Sequence, residues 1–176
     1  MQTPTFKVGF VGFGEVNTPR EFIDPRCKAA AERLRVAGFE VFETAPVSDD
    51  PAGEQADRAV AELRAACVDA LVVCVAGWIP SWAVLRVIEP FKGLPMLLWG
   101  LSGWRANGHF VTTADQAGTT ALRAPLQEMG YNFKYLVNKK DSAPRYDEAA
   151  SFLRAASATA AATAGPTRLS NAFGMM

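Results

Sequence analysis

The chain has 176 residues, 18 basic against 18 acidic side chains and 49% apolar residues, which suits one compact domain large enough to bury a core. A formal net charge of zero without a cluster of Lys and Arg gives a polyanion nothing to hold, which argues against nucleic acid and anionic membrane partners. No stretch approaches the ~18 apolar residues of a spanning helix, and MQTPTFKVGF lacks the basic start, apolar middle and cleavage site of a signal peptide, so the chain reads as cytoplasmic.

Phe6 to Phe13 is an apolar run with β-branched and aromatic residues, the pattern of a strand covered on both faces. A loop follows, and Asp24-Pro25 supplies an N-cap with proline at the first helical position. Cys27, Ala30, Ala31 and Leu34 then fall at helical spacing until Gly38 ends the turn. Phe39 to Thr44 is a second strand, Glu54 to Ala66 a second helix with Ala56, Val60 and Leu63 on one face, and Val68 to Ala76 a central third strand. Pro80 opens a third helix carrying Trp82, Leu85, Val87 and Ile88 and ended near Pro90, and Leu94 to Trp99 is a fourth strand. Thr113 to Gln116 has the Thr-x-x-Gln form of a capping box opening a helix to Gly130, with Pro125 expected to kink or interrupt it. Phe133 to Val137 is the fifth strand, and Arg145 to about Ala162 the last helix.

Strands alternating with helices in units of about 30 residues imply right-handed crossovers and a parallel sheet covered on both sides. The expected class is α/β: a three-layer open sandwich with a mostly parallel five-stranded sheet, flavodoxin-like or Rossmann-like. One domain spans residues 1–164. Residues 165–176 (GPTRLSNAFGMM) have too little apolar content for another layer and read as a linker or the truncated start of a following domain.

Cys27, Cys67 and Cys74 are odd in number, have no metal-ligand spacing and lie in segments that read as helix or strand core, so buried reduced thiols are expected. His109 is the single histidine, and no metal site is expected from this chain.

In such sheets ligands bind at the carboxyl ends of the strands. The segments there are GFGEVNTPR after strand one, GWIPSW after strand three and GLSGWRANGH after strand four, and all four tryptophans lie in or beside the last two. Aromatic faces with a few hydroxyl, amide and guanidinium groups suit a neutral polyol better than a polyphosphate. Trp82, at helical spacing with Leu85, reads as core. Trp78 is open between packing and recognition, Trp104 in its polar loop is a candidate for recognition or an interface, and Arg20 is open between solvating its loop and contacting a ligand.

Gly12 and Gly14 begin a Gly-x-Gly-x-x-Gly dinucleotide loop, but Asn17 stands third, Thr18-Pro19 interrupts before the helix signal, and Glu43 comes some ten residues late for the ribose acid. No Gly-x-Ser-x-Gly elbow and no P-loop occurs, and Asp49-Asp50 reads as solvated or capping. The chain thus reads as recognition without a reaction centre.

The segment GTTALRAPLQEMGYNFKYLVN, residues 118–138, resembles the amino-terminal part of the L-fucose isomerase and L-arabinose isomerase-like family, as does the order of elements across most of the chain. The resemblance implies an aldose-ketose isomerase that uses a divalent metal, usually manganese, to move hydrogen between C1 and C2 of an open-chain sugar. In that family the metal ligands and acid/base carboxylates come from later domains, so no catalytic residue and no cofactor is carried onto this segment, which is expected to be inactive alone. The amino-terminal domain there packs in a homo-oligomer and lends an aromatic and a basic side chain to a neighbouring subunit's site, which by position implies Trp78 and Arg20. The family's next domain starts with a strand and a glycine-rich turn, whereas Ser170-Asn171 interrupts the apolar run here. The rival readings are a free-standing flavodoxin-like module binding a sugar or nucleotide and, behind it, an NAD(P)-dependent dehydrogenase.

Overall fold

Cover on both faces is what the unbroken apolar runs of the central strands require, and they receive it. The computed structural model describes residues 6–138 and 144–164; the expected linker, residues 165–176, lies outside the described residues. In chain order the strands are β1 (Lys7–Phe13), β2 (Glu40–Glu43), β3 (Ala70–Val75), β4 (Met96–Gly100), β5 (Trp104–Ala106), β6 (His109–Val111) and β7 (Phe133–Val137). The helices are α1 (Arg20–Val36), α2 (Glu54–Ala66), α3 (Ser81–Ile88), α4 (Asp115–Glu128) and α5 (Tyr146–Ala164).

Five strands form one sheet in the order β2-β1-β3-β4-β7, every neighbouring pair parallel. Val8, Phe10, Val72, Cys74, Leu97 and Trp99 point to the face covered by α1 and α5, where Ile23, Leu34, Ala149 and Leu153 meet them. Val11, Phe13, Leu71, Val73, Val75 and Leu98 point to the face covered by α2, α3 and α4. Fully buried side chains such as Phe10 and Leu71 each contribute about 1.5–3 kcal/mol of transfer free energy. The molecule is therefore an α/β open sandwich of the flavodoxin-like or Rossmann-like class. Strand order reverses between β1 and β3, which puts the crevice for a ligand at the carboxyl ends of those two strands.

Three expected helix details change. The first helix starts at Arg20 behind Pro19, with no side-chain cap; Asp24 lies inside it and accepts from Arg20 Nε at 2.9 Å. Pro25 is a sixth-position proline, and Glu21, whose carbonyl loses a partner, is exposed. The expected capping box does not form: Thr113 Oγ1 donates to the Ala76 carbonyl at 2.6 Å and Gln116 Nε2 to Ser102 Oγ at 2.8 Å, so both side chains bridge to neighbouring strand ends. α4 then runs through Pro125 without interruption.

What read as a polar loop after the fourth strand contains a hairpin. β5 and β6 are antiparallel and joined by Asn107-Gly108 at φ 49° and 78°, the paired positive values of a type I′ turn.

Candidate functional site

The carboxyl rim is built by backbone approach. Gly14 and Gly77 lie against each other, and a Cβ at Gly14 would stand 2.6 Å from Ile23 Cδ1, while one at Gly12 would overlap Cys27 Sγ. The two glycines of the apparent dinucleotide loop therefore make room for side chains of α1. Glu43, where a dinucleotide fold keeps its ribose acid, accepts from Arg35 Nη2 at 3.0 Å.

Beyond the glycines the Glu15 N–H donates to the Trp78 carbonyl at 2.7 Å, and the Trp78 N–H to the Thr113 carbonyl at 2.7 Å. These bonds join the loops after β1 and β3 to the segment after β6. Between them opens a cleft of about 380 Å³, walled by Glu15, Asn17 and Thr18 on one side, Phe22 of α1, and Trp104, Thr112 and Thr113 on the other. The Phe22 and Trp104 rings are 5.4 Å apart at 33°. Of the described residues lining the cleft, Glu15 alone is ionisable.

Behind Trp104 sits a group that the sequence pattern did not single out. Arg26 Cζ lies 5.0 Å from the Trp104 ring centroid. Its Nη1 donates to the Ala76 carbonyl at 2.9 Å, and its Nη2 to Asp115 Oδ2 at 3.2 Å. Asp115 is fully buried and also accepts the Gly103 N–H at 3.3 Å. The signal for Arg26 was faint: one cation at the edge of a helical apolar stripe.

The three expected site residues are spread around this rim. Trp104 lines the cleft. Trp78 joins its walls through backbone bonds, and its side chain is 39% exposed without lining the cleft. Arg20 turns to the other side of α1, toward the end of β2, where Nη1 donates to the Pro46 carbonyl at 3.3 Å. Trp82, expected in the core, is exposed on α3 instead, while Trp99 near the end of β4 is fully buried.

Cys27 and Cys74 are buried, but Cys67 is exposed, because it takes the left-handed position that ends α2. Burial first, and the Cys27 thiol beside it second, push the Cys74 pKa well up. His109 is exposed on the hairpin, and among the described residues no three His, Cys, Asp or Glu side chains come together in a group that would hold a metal ion. The described residues thus supply no donor set for a manganese ion.

No family profile matches this chain, and no curated protein matches it. Among solved structures it is similar to an oxidoreductase from Corynebacterium diphtheriae, with 14% identity over 90% of this chain and 96% of that one and a TM-score of 0.45. It is also similar to a transcription regulator-like protein from Staphylococcus haemolyticus, with 12% identity, 78% and 61% coverage and a TM-score of 0.36. Likenesses this distant carry nothing about chemistry.

Proposed function

We propose that this chain is the sugar-recognition part of an L-fucose or L-arabinose isomerase-like aldose-ketose isomerase acting in the cytoplasm. The divalent metal and the carboxylates that move the proton in an enediol route would be supplied by further polypeptide. The observation that supports this most is the cleft at the carboxyl rim with Trp104 as one wall. An open-chain sugar offers C–H faces to an indole and hydroxyls to Glu15, Asn17 and the threonines. Glu15 favours an uncharged ligand over a sugar phosphate, since the neighbouring Arg26 is already paired with Asp115. Trp78 and Arg20, outside the cleft, are the side chains this reading offers to a site shared with another subunit.

Isothermal titration with L-fucose, L-arabinose and their alditols, set against NADH, tests the reading. Heat with a sugar or alditol, lost in Trp104→Ala, is expected; heat with NADH only overturns it. An isomerase assay of this chain with Mn²⁺ is expected to read zero, and turnover would relocate the active centre to these residues.

A further inference from the structure

We infer that Arg26 is a positioning residue: its guanidinium docks the β5–β6 hairpin on α1 and so fixes the Trp104 wall of the cleft. The hairpin strands are three residues each and pair only with one another. A two-stranded ribbon of that size does not hold its place in water unaided. Beside the Trp78 N–H bond to the Thr113 carbonyl and the Thr113 Oγ1 bond to the Ala76 carbonyl, a set of anchors meets on one guanidinium. Nη1 reaches the Ala76 carbonyl at the end of β3 and, at 3.4 Å, Thr113 Oγ1 beyond β6. Nη2 reaches Asp115 Oδ2 at the start of α4 and, at 3.5 Å, the Gly103 carbonyl at the hairpin's base. The Cζ of the same group lies 5.0 Å from the Trp104 ring centroid, within cation–π range, and Phe22, one helical turn earlier on α1, meets that ring.

Asp115 closes the arrangement from the other side. It is fully buried, while the Arg26 side chain is 17% exposed. Its Oδ2 accepts both from Arg26 and from the Gly103 N–H, so the hairpin base and the guanidinium share one oxygen. Ser102 and Gly103 carry φ of 60° and 63°, consecutive left-handed residues that aim the chain out of β4 into the hairpin. A lysine at position 26 would keep the charge but neither the planar fork nor the flat stacking face.

The docking itself does not depend on the ligand; only the consequence for sugar affinity rests on the proposed function. The test compares wild type with Arg26→Lys and Arg26→Gln by amide hydrogen exchange without ligand. Exchange over residues 103–113 is expected to accelerate roughly tenfold or more in Arg26→Gln and by less in Arg26→Lys, while β3 and β4 stay protected. In a Trp78→Phe, Trp82→Phe background, where the buried Trp99 and Trp104 are the indoles left, the Trp104 part of the emission is expected to move to the red and to open to acrylamide quenching in both variants. Unchanged hairpin exchange and emission in Arg26→Lys, the milder change, overturn the inference even where Arg26→Gln fails to fold. If wild type binds no sugar while Arg26→Lys frees the hairpin, the functional reading fails and the positioning role stands. Where wild type does bind, the variants are expected to lose roughly tenfold in affinity.

Discussion

At the scale of single residues, the buried indole of Trp99 shows how one polar atom fixes its surroundings. Its Nε1 donates to Asn138 Oδ1 at 3.1 Å, and that oxygen also accepts the Arg145 N–H at 3.1 Å, while Asn138 Nδ2 donates to the Leu101 carbonyl at 3.4 Å. Tyr146 meets the Trp99 ring edge-on at 5.5 Å. One amide thus joins the ends of β4 and β7 to the start of α5. Asn138→Leu leaves the indole N–H without its acceptor in the core, and a loss of about 1–3 kcal/mol is expected. Urea unfolding with a lower midpoint and unchanged m measures it. A Trp99→Phe, Asn138→Leu double variant is expected to lose less than the two single changes combined, because the orphaned donor is gone.

At the scale of elements, legibility followed length and continuity. α2 and β7 occupy the residues their patterns predict, because a 13-residue amphipathic stretch and a strand bounded by a turn need no outside information. Helix starts were misread where local chemistry and tertiary partners competed: Asp24 and Thr113 look like caps, yet each is held by other bonds. The hairpin escaped because its strands are three residues long, although Asn107-Gly108 was visible as a turn signal. The place of Trp104 beside the cleft could be read from its polar loop; the bonds of Arg26 could not, since its partners at positions 76, 103, 113 and 115 leave no mark on its own helix. The hairpin gives a prediction at this scale. A Cβ at Gly103 would run into the Val111 carbonyl and stand 2.7 Å from Phe110 Cζ, at a φ that side chains resist. Gly103→Ala is therefore expected to displace the hairpin and, under the proposed function, to abolish the heat of sugar binding. The thermal midpoint of the sheet is expected to move by only a few degrees, because the hairpin lies outside the five-stranded sheet.

At the scale of the whole molecule, burying both faces of the sheet sets how stability responds to alkali. Cys74 lies in β3 at the centre of the sheet, and burial, then the neighbouring Cys27 thiol, raise its pKa well above the usual value of 9.0. Above that value the unfolded chain releases the thiol proton while the folded chain keeps it. The folded state then binds more protons, so stability falls as pH rises. The contribution is complete below the ordinary thiol pKa and is lost progressively as pH climbs toward the folded one, at up to about 1.4 kcal/mol per pH unit. Tyr131 and Tyr146 are raised by burial too and extend the same sign beyond pH 10. The free-energy difference between wild type and Cys74→Ala, followed by urea unfolding from pH 7.5 to 10, is expected to be level at first and then to shrink. A difference constant across that range would place an ionisable, hydrated thiol where the fold puts a sealed one. Thiol titration gives the companion reading: Cys67 is expected to react at once in the native protein, and Cys27 and Cys74 only at the rate of unfolding.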